Sequence, residues 1–433
     1  MGQKEMNNTI CAISTARGGA IGIVRVSGPD AISYTDQIFR SPNGKKLADA
    51  KPYMVHYGQL VDENDIIDEV LVTVFRAPHS YTGEDSTEIA CHGSSYILQR
   101  TIEALVRQGC ALAKPGEYTQ RAFLNGKMDL SQAEAVADLI ASSSAASHRI
   151  ALQQMRGGYS QKLQNLRNRL LEMASLLELE LDFSEEDVEF AERHQLANLL
   201  EEIKQEITRL TSTFQLGNAL KNGVPVAIIG APNVGKSTLL NRFLREDRAI
   251  VSDIQGTTRD AIEDTITLQG ILFRFIDTAG IRHTDDAIEK LGIERSIRAA
   301  EKAQIIILIT EPGVPYPHIP IRADQTVIRI VNKTEAFQAL TGKGIDELER
   351  QLVAAVPSTE TDELLVTNVR HYEALTLALA DISRALSSLQ NGLSGDLVAE
   401  DLRLGLSHLG EILGVITSDD ILANIFSHFC VGK

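Results

Sequence analysis

Residues 230–238 read Gly-Ala-Pro-Asn-Val-Gly-Lys-Ser-Thr and match the phosphate-binding pattern G-x-x-x-x-G-K-[ST]. In such a loop, the backbone N–H groups and the N-terminus of the next helix bind phosphate oxygens. Lys236 is then expected to reach the β- and γ-phosphates of a nucleoside triphosphate, and Ser237 to bind Mg²⁺. The pattern predicts a nucleotide site lined by Asn233, Val234, Gly235, Lys236, Ser237 and Thr238.

The segments on either side of this loop are of the kind that the motif requires. Residues 224–229 are rich in Val and Ile and predict a buried strand, and residues 239–244 predict the start of a helix. A glycine-rich turn that matched the pattern by chance would need neither segment. We therefore interpret residues 230–238 as a phosphate loop between a strand and a helix.

Two later segments point to the same chemistry. Asp277-Thr-Ala-Gly280 follows an apolar strand predicted at 271–276 and has the form D-x-x-G. In this form the aspartate acts on Mg²⁺, and the glycine N–H senses the γ-phosphate. Residues 256–260, Gly-Thr-Thr-Arg-Asp, lie between the two motifs, where a threonine can close over the metal. These motifs in this order indicate a GTPase.

The segment that should select guanine departs from the usual pattern. Asn332 and Lys333 follow the apolar run 327–331, where guanine-specific proteins have Asn-Lys-x-Asp, but the fourth residue is Glu335. Its extra methylene would misplace the carboxylate. Only a few residues separate Glu335 from Thr341-Gly-Lys-Gly344, and a helix, a strand and a Ser-Ala-Lys loop are expected between them. We interpret this as residues missing from the region, which leaves the guanine-selecting residues undetermined.

A second departure concerns the water that attacks the γ-phosphate. Ile281 directly follows D-x-x-G, where many small GTPases have a glutamine that orients this water. An isoleucine can neither orient water nor accept a proton, and the sequence shows no arginine finger. Asn233 and the loop 252–258 offer oxygen ligands near the phosphates. A monovalent cation held there would stabilise the charge of the transition state.

The composition limits the class of protein. The chain has 433 residues, 43% of them hydrophobic, which predicts about three domains with real cores. No apolar run approaches a membrane span, and the polar N-terminus lacks a signal-peptide pattern. The cysteines Cys11, Cys91, Cys110 and Cys430 are widely spaced, which favours a reducing, cytoplasmic setting. With a net charge of −16, contact with nucleic acid would need a local basic patch or a partner subunit.

The first part of the chain, residues 9–120, mixes short apolar runs with turns. Strands are predicted at 21–26, 70–75 and 88–91, and a helix at 94–108, so we expect a small α/β domain. Polar and glycine residues gather in two loops, 15–19 and 78–85. On composition alone both are interpreted as simple turns.

The rest of the chain is helical on both sides of the nucleotide segment. Helices are predicted at 131–140, 160–181 and 196–216, followed by a break at 217–224, and a further helix at 402–413. An acidic run at 185–189 is interpreted as solvated, and Ser418 as a helix N-cap. Residues 224–357 alternate strands and helices. The simplest architecture is one helical domain interrupted by an inserted α/β domain.

The combination of motifs resembles the tRNA-modification GTPase family MnmE, also called TrmE, almost from end to end. The phosphate loop is shared by very many families, whereas the N-terminal motifs and the Cys-containing tail are specific to this one. The segments that carry the resemblance are 22–28, 80–85, 115–118, 121–125, 129–135, 182–183, 370–372 and 429–433.

The resemblance implies a multidomain α+β fold. An N-terminal α/β folate-binding and dimerisation domain would occupy residues 1–119. A discontinuous helical domain would occupy 120–217 and 358–433, the second part carrying the Cys motif. A Ras-like α/β P-loop G domain would be inserted at 218–357.

It also implies a potassium-activated GTPase that works as a homodimer and forms a heterotetramer with a flavin-dependent partner, MnmG (GidA). Together they would modify the wobble uridine of tRNA at C5, with 5-formyl- or methylene-tetrahydrofolate as one-carbon donor. One alternative is a regulatory GTP-binding switch that only recruits partners. Another is an inactive scaffold, for which the short guanine segment is the only support.

The resemblance assigns roles to individual positions. Glu289 would orient the attacking water, which answers the problem posed by Ile281, and Cys430 would act in the modification reaction. K⁺ ligands match Asn233, Ser252, Ile254 and Thr257, and Mg²⁺ ligands match Ser237 and Thr258. Folate-site positions match Arg25, Glu88, Lys127 and Lys433. Further GTP contacts are assigned to Ser252, Asp253, Ile254, Gln255, Gly256, Thr257, Thr258, Asp277, Thr278, Ala279, Gly280, Asn332 and Lys333.

Without the resemblance, simpler interpretations of these positions stay open. Arg25 could be a surface charge at a strand end, and Glu88 could face solvent in an alternating segment. On chemistry alone, Cys430 is best interpreted as a small buried hydrophobic residue.

Overall fold

A computed structural model describes residues 8–16, 18–63, 65–182, 193–247, 264–276, 289–357 and 364–432. The chain divides into two compact units. The first comprises Met1–Ala137 and Gly410–Lys433, and the second comprises Asp138–Leu409.

The described residues form two sheets and a set of helices. The strands are β1 (Ile10–Ile13), β2 (Ile21–Ser27), β3 (Phe39–Arg40), β4 (Val55–Asp62), β5 (Asp65–Phe75), β6 (Ser86–His92), β7 (Ala111–Leu112), β8 (Val224–Ile229), β9 (Asp264–Leu268), β10 (Ile271–Phe275), β11 (Ile305–Thr310) and β12 (Thr326–Val331). The helices are α1 (Ala31–Ile38), α2 (Ser95–Gln108), α3 (Glu117–Leu124), α4 (Leu130–Ala141), α5 (Ala145–Met155), α6 (Gly158–Asp182), α7 (Arg193–Ser212), α8 (Phe214–Asn222), α9 (Lys236–Asp247), α10 (Glu289–Lys302), α11 (Ile345–Ala354), α12 (Val369–Gln390), α13 (Gly395–Leu413) and α14 (Asp419–Ser427).

The sheet of the first unit has the order β3-β4-β5-β6-β2-β1-β7. Its neighbouring strands are antiparallel except for the parallel pair β1 and β7. Buried and exposed side chains alternate, as the two-residue period of a strand requires. Val24, Val72 and Ile89 pack on one face with Leu98 and Leu105 of α2. The opposite face therefore carries the residues between them, including Arg25 and Glu88.

The second sheet, of the second unit, has the order β12-β11-β8-β10-β9. Strands β8, β10, β11 and β12 run parallel, and β9 is antiparallel at one edge. Every residue of β11 is buried, and β8 is buried except at Pro225. Because the carboxyl ends of parallel strands share one edge, the segments that follow β8 and β12 lie close together there.

The long helices of the second unit have the apolar spacing expected from the sequence. In α6, the buried side chains follow three- and four-residue steps along the helix: Leu163, Leu166, Leu170, Met173 and Leu177. The helix spans Gly158–Asp182, within two residues of the predicted bounds at each end. The acidic run 185–189 lies outside the described residues.

The predicted break after α7 is wrong. The chain turns at Thr213 and continues as α8, which contains Gly217 and ends at Asn222. A Cβ atom on Gly217 would lie 2.3 Å from the Val366 carbonyl oxygen, so the glycine permits close packing between segments. Helix α14 begins as predicted, with the Ser418 hydroxyl accepting a hydrogen bond from the Ile421 N–H.

Candidate functional site

The phosphate loop connects the end of β8 to the start of α9. The helix begins at Lys236, three residues earlier than predicted, so Ser237 and Thr238 lie in its first turn. Gly235 has a φ of 102°, and a Cβ atom there would lie 2.3 Å from the side-chain nitrogen of Asn332. Asn233 also has a positive φ, 62°, and its side chain is exposed. The loop therefore depends on glycine at 235 and presents Asn233 on its open side.

Lys236 is held by the loop's own backbone. Its Nζ donates hydrogen bonds of 2.8 Å to the carbonyl oxygens of Gly230 and Ala231. The side chain is partly buried, and this burial lowers the pKa of the Lys236 ammonium. The contacts place the ammonium at the head of the motif, where it can exchange carbonyl partners for phosphate oxygens.

Asn332 joins the phosphate loop to the segment after β12. Its side chain is 4% exposed; Nδ2 donates to the Val234 carbonyl at 2.8 Å, and Oδ1 accepts from the Ala339 N–H at 3.0 Å. The neighbouring Lys333 has a φ of 60° and pairs with Glu311 at 2.5 Å. Asn332 thus acts as a link within the site through both of its polar side-chain atoms.

The chain between β12 and α11 is short, as the sequence predicted. Residues 332–344 are all described and contain neither a helix nor a further strand of the sheet. They form a turn closed by the Thr334 N–H on the Phe337 carbonyl, and an isolated bridge between Gln338 and Lys343. The described sheet therefore ends at β12, and Glu335 is exposed on the connection.

For the remaining predicted nucleotide and metal positions, the structure describes no side-chain geometry. Glu289 begins α10, but its side chain is not among those described. Within the described ranges, no group of three or more His, Cys, Asp or Glu is placed to hold a metal ion. The predicted positions that lie outside the described residues are Ser252, Asp253, Ile254, Gln255, Gly256, Thr257, Thr258, Asp277, Thr278, Ala279, Gly280, Ile281 and Lys433.

A second cluster of predicted residues lies on the open face of the first unit's sheet. Arg25 of β2 and Glu88 of β6 are cross-strand partners, and Nε and Nη2 of the arginine donate to Glu88 Oε1 at 3.0 and 2.7 Å. The Arg25 guanidinium also lies 5.4 Å from the ring centroid of Tyr81 and 5.6 Å from that of Tyr118. The two side chains are partly buried, so Arg25 is not a simple surface charge and Glu88 does not simply face solvent.

The loop 78–85 brings Lys127 to this cluster. Lys127 Nζ donates to the Pro78 carbonyl at 2.9 Å, and the hydroxyls of Tyr81 and Thr119 are 2.9 Å apart. Burial raises the pKa of the Tyr81 phenol. The loop is therefore more than the simple turn that composition suggested. It gathers Arg25, Glu88 and Lys127 around one segment.

Arg121 is a structural feature of this cluster to which sequence reasoning assigned no role. Its guanidinium is 2% exposed; it donates to Glu84 at 3.2 Å, to Glu117 at 2.9 Å, and to both the carbonyl and side-chain oxygens of Asn8. Glu84 also accepts from the Ser27 hydroxyl at 2.8 Å. Arg121 lies in one of the family-like segments, but nothing in its spacing links it to Glu84.

The interpretation of Cys430 as a buried hydrophobic residue is wrong. Cys430 is exposed, whereas Cys11, Cys91 and Cys110 are buried. Helix α14 ends just before it, and Phe426 and Phe429 take the buried positions against Leu130 and Ala133 instead. The Cys430 carbonyl accepts from the Gly116 N–H at 3.4 Å, which fixes the tail beside α3.

These environments predict a sharp difference in thiol reactivity. At mildly alkaline pH, iodoacetamide should alkylate Cys430 first, because the other three thiols are buried. Burial also raises the pKa of Cys91 to about 11. The fraction of Cys91 present as reactive thiolate is therefore roughly two orders of magnitude smaller than that of an ordinary thiol. Mass spectrometry of timed samples measures this order, with Cys430→Ser as control. Rapid labelling of Cys91 in the folded protein would contradict the assignment.

The site consists of a buried strand, a glycine-bearing loop and a helix that begins at Lys236. This arrangement defines a P-loop nucleotide-binding protein. Two family models match the chain: the MnmE helical domain over residues 130–430 and the GTP-binding protein TrmE N-terminus over residues 9–127. The chain belongs to the MnmE family.

Curated relatives align with this chain over nearly its whole length. Proteins named tRNA modification GTPase MnmE are 53% identical in Bacteroides fragilis and 52% in Bacteroides thetaiotaomicron, each over 98% of this chain and 99% of the relative. The protein of the same name in Christiangramia forsetii is 47% identical over 99% of this chain and 100% of its own length. The first two alignments extend over 462 positions, more than the 433 residues of this chain, so these relatives contain residues that it lacks. This agrees with the short segment 332–344.

Proposed function

We propose that the chain is a potassium-activated GTPase which, with a flavin-dependent partner of the MnmG (GidA) family, modifies the wobble uridine of tRNA at C5. A tetrahydrofolate derivative, 5-formyl- or methylene-tetrahydrofolate, would supply the one-carbon unit. The observation that carries the proposal is the phosphate loop with Lys236 at its head, in a chain whose curated relatives are named tRNA modification GTPases. No helix in the described part of the chain is long and apolar enough to cross a bilayer.

The proposed domain assignment rests on the two sheets and the residue ranges that they occupy. Residues 218–357 would form the inserted Ras-like G domain, because its parallel strands and the phosphate loop lie in this range. Residues 1–119 would form the folate-binding domain, and 120–217 with 358–433 the helical domain. The boundary at 217/218 falls inside α8, so this helix would continue from the helical domain into the G domain.

The nucleotide roles follow from the loop. The N–H groups of the loop and the Lys236 ammonium would bind the β- and γ-phosphates of GTP, and Ser237, in the first turn of α9, would bind Mg²⁺ together with Thr258. Asn332 would hold the loop in place through the Val234 carbonyl. Glu289 would orient the attacking water.

The proposed K⁺ site centres on Asn233. Its exposed amide and its left-handed backbone suit an oxygen ligand for a monovalent cation at the edge of the phosphate loop. Ser252, Ile254 and Thr257 would complete the ligand set. When bound, the cation supplies positive charge that stabilises the transition state, as an arginine finger does elsewhere.

The cluster on the open face of the first sheet suits a folate. Arg25 and Lys127 are cations for the carboxylates of the ligand, Glu88 is an acceptor for its ring N–H groups, and Tyr81 and Tyr118 offer aromatic surface. Lys433 would join this site, and Cys430 lies exposed on the same tail. A bare GTP-binding switch would need none of these groups, so we favour the modification enzyme over the switch.

The same face supports the proposed homodimer. Tyr57 and Leu71 are cross-strand partners of β4 and β5, and their side chains are 53% and 48% exposed. Val55 and Ile21 on the same sheet are 56% and 66% exposed. Exposed apolar side chains in one area mark protein contact surfaces. A second copy on this face would cover them beside Arg25 and Glu88.

The function is tested by GTP hydrolysis in K⁺ and in Na⁺ at matched ionic strength. We expect faster hydrolysis in K⁺ by the wild type, and equal rates in the two salts for Asn233→Ala. Asn222→Ala, at the exposed end of α8, is the matched control and should keep the preference for K⁺. Equal wild-type rates in the two salts would remove the cation mechanism and leave a P-loop GTPase. No hydrolysis in either salt would support the switch or the scaffold.

A further inference from the structure

A basic segment lies in the first unit of this acidic chain. Residues 40–54 contain Arg40, Lys45, Lys46 and Lys51 but one acidic residue, Asp49, whereas the whole chain carries a net charge of −16. All four basic side chains are exposed. None of them forms an ion pair with a carboxylate of the described residues, so their charge is available to a partner. We call this the 40–54 surface.

Hydrogen bonds from neighbouring elements hold the backbone of the 40–54 surface in place. Arg76 Nη2 donates to the carbonyl of Ala48 at 2.5 Å and contacts that of Ala50 at 3.5 Å. The Leu47 N–H donates to Asp36 at 2.6 Å, and the Leu47 side chain is buried. The lysines therefore project from an ordered segment, which lowers the entropic cost of binding.

Tyr53 adds an aromatic group to this surface. Its φ is 63°, a left-handed conformation that is uncommon for a bulky residue and often marks a functional position. The hydroxyl donates to the His79 carbonyl at 2.7 Å, and the ring packs edge-on against Phe75. The residue is nevertheless 58% exposed, so the anchored ring presents apolar area to solvent.

The contact with His79 connects the 40–54 surface to the proposed folate site. His79 lies in the segment that also contains Pro78, whose carbonyl accepts from Lys127, and Tyr81, whose ring lies against Arg25. A polyanion bound along residues 40–54 would thus reach the site where the one-carbon donor is proposed to bind.

We propose that the 40–54 surface binds tRNA, with Lys45, Lys46 and Lys51 on backbone phosphates and an unstacked base on Tyr53. This rests on the proposed function, which names tRNA as substrate, and adds where this acidic chain would contact it. Lysine clusters neutralise phosphates, and sequence-tolerant stacking on aromatic rings is the usual way to hold bases of single-stranded loops.

The test measures binding of unmodified tRNA by fluorescence anisotropy at several salt concentrations. The variant Lys45→Gln/Lys46→Gln/Lys51→Gln should lower affinity by roughly tenfold or more, and should reduce the slope of log affinity against log salt by about 2–3. Tyr53→Ala should lower affinity by roughly tenfold, whereas Tyr53→Phe should bind as the wild type does. GTP hydrolysis without tRNA should be unchanged in all of them.

The matched control is Lys162→Gln/Lys204→Gln/Arg209→Gln. It removes the same charge from side chains that are paired with Glu201 and Glu206. It should leave the salt slope nearly unchanged. As a second measurement, acetic anhydride should label Lys45, Lys46 and Lys51 less when tRNA is present, and Lys302 equally with and without it.

The outcomes separate this inference from the proposed function. Equal losses in the two triple variants would show an effect of net charge only and would overturn the 40–54 surface. If the 40–54 variants bind tRNA as tightly as the wild type does, the 40–54 surface is overturned, even if they bind the flavoprotein partner more weakly. The proposed function would still stand. A wild type that hydrolyses GTP but binds no tRNA, alone or with that partner, overturns both.

Discussion

Replacing Lys236 with alanine is expected to lower the affinity for GTP by at least about a hundredfold. A hydrogen bond to a charged group contributes about 1.5–3 kcal/mol, and Lys236 would make at least two with phosphate oxygens. Each 1.4 kcal/mol corresponds to a factor of ten in affinity. The effect on folding should be small, because the hydrogen bonds that Lys236 donates within the described residues go to the carbonyls of Gly230 and Ala231, which water can also satisfy.

Titration with a fluorescent GTP analogue measures this loss, and thermal unfolding confirms that the variant is folded. Lys302→Ala is the control, since this lysine is exposed at the end of α10. Lys236→Arg should recover part of the affinity but not hydrolysis, because a longer, planar cation cannot occupy the same point in the loop. Unchanged binding by Lys236→Ala would mean that residues 230–238 are not the nucleotide site.

Replacing Arg121 with methionine should lower the free energy of unfolding of the first unit by about 3–5 kcal/mol. The substitution keeps much of the side-chain volume but leaves Glu84 and Glu117 without the buried cation that both contact. A carboxylate left unpaired away from water is costly. The loop 78–85 should loosen at the same time, since Glu84 is one of its anchors.

Urea unfolding, together with amide hydrogen exchange of β1 and β6, measures the change. Arg107→Met is the control, because Arg107 pairs with Asp62 at the surface and such pairs contribute about 0–1 kcal/mol. The triple variant Arg121→Met/Glu84→Gln/Glu117→Gln should recover much of the lost stability by removing the stranded charges. If Arg121→Met is no less stable than Arg107→Met, the buried network does not hold this region together.

Features set by local periodicity could be predicted from the sequence. The Val and Ile run of β8 and the leucine spacing of α6 each determine an element without reference to distant parts of the chain. The phosphate loop belongs to the same class, since its chemistry depends on nine consecutive residues. The short connection after β12 was also visible, because too few residues separate Asn332 from Ile345 for another helix and strand.

Features set by contacts between distant residues could not be predicted in this way. Lys127 meets the Pro78 carbonyl across 49 positions, and Arg121 meets Glu84 across 37, with no pattern that signals either contact. Gly217 resembled a helix break, but its role depends on how closely Val366 approaches. Cys430 is exposed because Phe426 and Phe429 compete better for the buried positions, which is a matter of packing rather than composition.

The first unit is assembled from two stretches of chain that the ribosome makes at different times. Ser14 donates to the Gly432 carbonyl across 418 positions, and Leu130 and Ala133 pack against Leu422 and Phe426. Between them lies the whole of Asp138–Leu409, which takes on the order of tens of seconds to synthesise at ~5–20 residues per second. Until the C-terminal stretch has been synthesised, the apolar side chains of α4 lack the residues that cover them in the folded unit. A nascent chain that stops early would therefore have the phosphate loop but an open core, which offers chaperones and proteases a way to distinguish it from a finished one.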